Sequence, residues 1–522
     1  MTMSTIKRIA SLLQVLGFLG CVVALPSELL ATSGDISTNT TWSGTVNVTG
    51  DVRVLSGVTL TIVAGTQISI NPASSTDISA IPAQMNGKVD ICIVGHLQVN
   101  GTCDSHVAFY SNDGSPGGDD WYQLVVSSNG SAAINHAELR NCEYGLAIST
   151  GGVVSVSESE FADNDDDDIT IGGTPASVSI SACTFDVEEG AGIKVSTSAP
   201  VTIAGCTIAG TSSSSNGVEA SSSAVVDLRS NNIDGFDNGG NTGCGVFLQG
   251  NSSASLYDNH IVGCDNGIRV VAGGGSQASA LIGAEDDGNE IESCAVGISV
   301  ETTGPGSCPA YTPTALIRYN WIHGNDIGIK TVKTASGVDA GTNGDYGYNK
   351  IEGSTSYAIS NTSSCTPTQT VTARGNNWGR DGSNNCIAAV TSGSVDANEI
   401  WCPGSGEPGG CHSCPQGSSG AQEVPKRTRQ NPTMLTSVAP NPFNPETTIG
   451  FELGASLQPE IAIYNVTGQL VRIERMGPQP AGHHTWVWDG RDRNGSSVGS
   501  GVYFVVLKAG VVTDVRKAVL LK

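Results

Sequence analysis

The chain has 522 residues, of which 67 are Gly, 14% are charged and only 5% are aromatic. That balance speaks against one large globular core and for a long β-rich stack. A formal net charge of −24 makes nucleic acid and anionic lipid poor partners and predicts a self-repelling, water-facing surface.

The first residues read as an export signal, 1–31. Lys7 and Arg8 precede an apolar run from Ile9 to Leu25, and Ala24 and Ala31 supply small residues for cleavage. The run is short for a membrane span. Gly20-Cys21 leaves lipid attachment open as the alternative processing. Export makes the cysteines legible: without Cys21 the fifteen become fourteen, an even number suited to disulfides in an oxidising compartment.

Strands come next. From Trp42 to Ile70, Val46, Val48, Val52, Val54, Val58, Leu60 and Ile62 stand among polar residues, with Gly57 and Gly65 marking turns. Val89 to Val99 and Val107 to Val126 continue the pattern.

A repeat then takes over. Six times an Asn is followed two positions later by a large apolar residue: Asn231/Ile233, Asn259/Ile261, Asn289/Ile291, Asn320/Ile322, Asn349/Ile351 and Asn376/Trp378, at steps of 28, 30, 31, 29 and 27. Ala137/Leu139, Ser159/Phe161, Cys183/Phe185 and Cys206/Ile208 fill the same slot earlier, at steps of 22, 24, 23 and 25. A Gly before an aliphatic residue follows in most repeats, as in Gly217-Val218, Gly245-Val246, Gly267-Ile268, Gly297-Ile298 and Gly328-Ile329. Repeats of variable length whose apolar pairs stay in phase specify a solenoid, and their period of two makes it one of strands. The fold class expected is therefore all-β: a right-handed parallel β-helix over 33–400, followed by a small C-terminal β-sandwich. Leu139 to Trp378 should form one apolar row, and the asparagines a second row at a corner, where Asn tolerates left-handed backbone and its amide bonds the coils above and below. In this register Cys183 stacks on Cys206 and Cys264 on Cys294, either as disulfides or as buried thiols.

Residues 401–433 are rich in Gly, Pro, Ser and charge and read as a linker. Within it Cys411-His412-Ser413-Cys414 has only Cys402 nearby as a third ligand, which is poor support for zinc. From Met434 the texture is that of six short strands with turns at Gly468 and Gly495.

Three groups are candidates for chemistry. Asp163, Asp165, Asp166, Asp167 and Asp168 form the densest acidic run, with Lys194 one coil on; Ca²⁺ is the one ion this leaves open, and no other cofactor is expected. His260, Glu290, Trp321 and Lys350 are consecutive on one outward column, where Trp321 could stack on a sugar ring. Asp489, Asp492 and Asn494 either hold a cation or cap their own turn, the latter being the simpler reading. No Ser/His/Asp set or phosphate loop stands out.

The segment Gly57-Val58-Thr59-Leu60-Thr61-Ile62 and the repeats after it resemble the right-handed β-helix proteins of the pectin-lyase-like superfamily. That resemblance implies a fold rather than an activity, since the superfamily includes lyases, hydrolases, esterases and proteins without known catalysis. Ala439-Pro440-Asn441-Pro442-Phe443-Asn444-Pro445, Ile463-Tyr464-Asn465-Val466-Thr467-Gly468, Trp488-Asp489-Gly490-Arg491-Asp492 and Ser500-Gly501-Val502-Tyr503 resemble two overlapping profiles. These are the C-terminal domain of type IX secretion cargo and the FlgD-like immunoglobulin domain, and either implies sorting or attachment. The expected function is a non-catalytic, secreted or surface-attached β-helix for adhesion or glycan contact, with a polysaccharide and the secretion machinery as partners. The alternative is a polysaccharide lyase or glycoside hydrolase on the same scaffold.

Overall fold

The computed structural model describes residues 30–72, 87–303 except 128, 241 and 286, 312–362 except 334–336 and 343–344, 370–378, 391–397, and 434–521 except 440, 442, 454–455, 466–469, 481, 494 and 510–511. All but the last two residues of the expected export signal 1–31, including Cys21, the expected linker with Cys402, Cys411, His412 and Cys414, and Asn494 lie outside them.

Thirty-seven strands join into one parallel array, wound as a right-handed parallel β-helix. Each coil adds one strand to each of several parallel stacks, so residues of equal slot become neighbours. Leu139, Phe161, Phe185, Ile208, Ile233, Ile261, Ile291, Ile322 and Ile351 pair in unbroken register. The row runs back through Phe109, Ile68 and Val46, in coils that lack the Asn marker. All of these side chains are buried, and each contributes about 1.5–3 kcal/mol of apolar burial. The rings of Phe161 and Phe185 stack at 5.1 Å.

Beside this row runs the asparagine ladder. Asn231, Asn259, Asn289, Asn320 and Asn349 each donate from Nδ2 to Oδ1 of the next Asn, the last to Asn376, at 2.9–3.0 Å. The backbone N–H of each donates to that same oxygen at 2.9–3.1 Å. The second Nδ2 hydrogen goes to a carbonyl of the preceding coil, Leu256 O at 2.9 Å in the case of Asn289. The expectation of left-handed backbone at these asparagines is corrected. The positive φ falls one residue earlier, at Ser230, Asp258, Tyr319, Tyr348 and Gly375. The reason is directional: the Asn side chain must point inward to reach its neighbours, so the residue before it makes the corner and points out.

The Gly-aliphatic marker has a packing cause. A Cβ on Gly267 would lie 2.6 Å from Gly297 O and 2.7 Å from Ile291 Cγ2, and Gly217 and Gly245 face the same clash with the coil above. These glycines are needed for close approach, since their φ values are not positive.

Of the disulfides and buried thiols left open at the stacked cysteines, the structure has the thiols. Cys183, Cys206, Cys264 and Cys294 are buried free thiols. In-register strands hold Cα–Cβ bonds parallel at a spacing of about 4.8 Å, beyond the usual Cβ···Cβ reach of a disulfide, roughly 3.5–4.5 Å. Each Sγ donates instead to the carbonyl two residues before it, at 3.3–3.6 Å.

The C-terminal part forms two antiparallel sheets. Met434–Ala439, Thr447–Leu453 and Gly482–Trp488 make one; Leu470–Arg475, Pro459–Asn465, Gly501–Ala509 and Val512–Leu520 make the other. Trp488 lies in their shared core against Phe443 and Tyr503. Asp489 and Asp492 accept the backbone N–H groups of Arg491 and Ser496, at 3.2 and 2.9 Å, so both tie down their own turn.

Candidate functional site

Four short strands, His260–Val262, Glu290–Glu292, Trp321–His323 and Lys350–Glu352, stack in register. Each has a buried Ile at its centre, so its first and third residues point outward. Two outward columns result. The first holds His260, Glu290, Trp321 and Lys350, the four that the sequence places together. The second holds Val262, Glu292, His323 and Glu352, which sequence reasoning missed although the same shift of two residues reaches them.

The columns are tied diagonally. His260 Nε2 lies 3.0 Å from Glu292 Oε1, and His323 Nε2 lies 3.1 Å from Glu290 Oε1 and 3.7 Å from Glu292 Oε2. His260 Nδ1 is 2.9 Å from Oδ1 of Asn232, one coil below. Among the described residues, His260, Glu290 and Glu292 are the one group of three with ligand atoms all within 4.8 Å of one another. They are the residues that could hold a metal ion.

Trp321 is half-buried rather than exposed as expected. His323 stacks on it at 4.0 Å between centroids, and Lys350 Nζ lies 4.5 Å from the ring centroid. The indole Nε1 donates to Glu352 Oε1 at 3.1 Å, and Lys350 pairs with the same carboxylate. Round the adjoining corner the rings of Tyr319 and Tyr348 stack at 5.0 Å, with Tyr346 edge-on to Tyr348. Their signal was also in the sequence, because each of the stacked pair immediately precedes a ladder Asn. The surface thus combines aromatic rings with carboxylates, imidazoles and an ammonium, the groups that meet a sugar's apolar face and its hydroxyls.

The acidic run does not converge. Asp163 pairs with Arg140 at 3.1 Å, Asp165 is exposed, and Asp166 accepts from the Tyr144 phenol, whose pKa burial and that bond push up. Asp167 turns inward and meets Lys194 Nζ at 3.0 Å and the N–H of Ala191 at 2.9 Å. Burial raises its pKa against the pull of Lys194. Asp168 is buried, with Oδ1 accepting from Asn164 Nδ2 at 2.7 Å and Oδ2 without a partner among the described residues. Burial holds its carboxyl well above the usual range. Five carboxylates that leave the chain in different directions make ion pairs and a turn, with no shared point for a cation.

Residues 123–280 match the family model described as right handed beta helix region. Residues 440–511 match the FlgD Ig-like domain. No curated protein matches the chain. Among solved structures the chain is similar to an exopolygalacturonase from Thermotoga maritima, at 11% identity and a TM-score of 0.32 over 60% of this chain and 81% of that one. It is similar to a tailspike protein of Acinetobacter baumannii bacteriophage Fri1, a capsular polysaccharide depolymerase, at 11% and 0.32 over 89% and 73%. It is also similar to PorZ, a surface component of the type-IX secretion system of Porphyromonas gingivalis, at 23% and 0.13 over 16% of this chain and 11% of that one. The chain thus spans about a tenth of PorZ.

Proposed function

We propose that this is an exported β-helix protein that contacts a glycan through the face around Trp321. The observation that carries the reading is the grouping of Trp321, His323, Lys350 and Glu352 on one rigid face, with the Tyr319–Tyr348 pair beside it. Rigid aromatics flanked by hydrogen-bonding groups lose little entropy on binding, which suits a weakly hydrophobic ligand such as a sugar chain. A net charge of −24 favours a neutral or weakly charged chain over a polyanion. The C-terminal sheets, with their FlgD Ig-like match, act in sorting or attachment.

A second reading, cleavage of the bound polysaccharide, is favoured by one observation. Glu290 and Glu292 bring two carboxylates to the same imidazole, that of His323, and paired carboxylates are the acid–base machinery of glycoside hydrolysis. One experiment addresses both. The full chain is incubated with a panel of neutral and uronic-acid polysaccharides while retention on each and release of reducing ends or unsaturated products are followed. Retention without product supports contact alone, product release supports the enzyme, and neither outcome on any glycan sinks both.

A further inference from the structure

We infer that His260, Glu290 and Glu292 form a binding site for a divalent transition metal ion, with His323 beside them, Zn²⁺ being the best match to the donors. The donor set comes first. Imidazole nitrogens with carboxylate oxygens suit Zn²⁺, whereas Ca²⁺ and Mg²⁺ prefer oxygen alone. Two glutamates bring a formal charge of about −2 to the site, which a divalent ion neutralises.

The spacing agrees. Ligands about 2.0–2.1 Å from a tetrahedral Zn²⁺ lie roughly 3.4 Å from one another. Within the group of His260, Glu290 and Glu292, whose ligand atoms all lie within 4.8 Å of one another, His260 and Glu292 are 3.0 Å apart; His323 stands beside it, 3.1 Å from Glu290 and 3.7 Å from Glu292.

The hydrogen bonding of His260 supplies an independent argument. Asn232 Oδ1 lies 2.9 Å from Nδ1, placed to accept that nitrogen's proton, so Nε2 is the nitrogen that a metal would take. Nε2 points at Glu292 Oε1, 3.0 Å away. A cation between them satisfies both, and a ligating His that donates its other N–H to a fixed oxygen is the usual arrangement at metal centres. His323 is likewise held, its ring stacked on Trp321 while Nε2 faces both glutamates. The four side chains are 19–40% exposed, so an ion reaches them from solvent. Two ordinary His–Glu surface pairs are the competing explanation, and these bind no metal.

The inference does not rest on the glycan reading, and its test uses no glycan. The full chain is stripped with EDTA and titrated with Zn²⁺ by calorimetry, with Co²⁺ absorption as a report on coordination. Wild type is expected to take up about one equivalent more than His260→Ala or Glu292→Gln, with affinity at this site falling about 100-fold or more in both. Asn232→Ala, which touches no metal, should weaken it about 10- to 100-fold by releasing the His260 ring. Glu292→Gln conserves shape, so folding is preserved and is checked by the melting curve in EDTA. Zn²⁺ uptake that is absent in wild type, or identical in wild type and both ligand variants, overturns the assignment.

Discussion

A ladder asparagine differs from its neighbour in what it leaves behind when removed. Asn289 takes the N–H and Nδ2 of Asn259 on its oxygen and donates to Leu256 O and Asn320 Oδ1, all in a buried corner. Asn289→Ala therefore strands groups that water cannot reach, and chemical denaturation should show a loss of about 1–3 kcal/mol. Asn232 is half-buried and offers its side-chain oxygen to His260. Asn232→Ala should cost under about 0.5 kcal/mol while still weakening the metal site. Equal losses for the two variants would show that the ladder does not stabilise the stack.

At the level of the coil, the glycine column sets how closely two strands approach. Gly267→Ala drives a Cβ against Gly297 O and Ile291 Cγ2, and neither backbone nor a packed Ile yields easily. The expected cost is about 1–3 kcal/mol from overpacking, read as a lower denaturation midpoint; an unchanged midpoint would mean that the coils are looser than described. The row from Leu139 to Ile351 was legible in the sequence, since stacking repeats a residue type at a fixed slot. The same logic could not say which corner residue is left-handed, because spacing shows what stacks and not which way a side chain points. Nor did it reach Glu292, His323 and Glu352, because the Asn marker adjoins the first outward position of each strand and no marker residue singles out the second. The half-burial of Trp321 arises from His323 and Lys350, and depends on side-chain geometry that no repeat length encodes. The acidic run misled for the converse reason: five adjacent aspartates look like one site, yet the turn at Asp163 sends them apart.

For the whole molecule, the N-terminal strand Leu30–Ile36 pairs with Thr45–Val54 beginning at Leu30↔Val46. Cleavage near Ala24 would keep that strand whole, whereas cleavage after Ala31 would cut it, so sequencing of the exported protein should find a first residue before Leu30. Removing 434–522 should leave the β-helix folded but misplaced, and surface fractionation that finds the shortened protein where the full chain goes would remove the sorting role. Glycan contact at the proposed face around Trp321 is read from affinity. The dissociation constant for the best-retained polysaccharide is measured for wild type, Trp321→Ala and, as a control in the C-terminal sheets, Trp486→Ala. Loss of aromatic contact should weaken binding by about tenfold, or some 1.4 kcal/mol, at Trp321 and leave the control unchanged. A Trp321→Ala protein that binds as tightly as wild type would rule out glycan contact at this face.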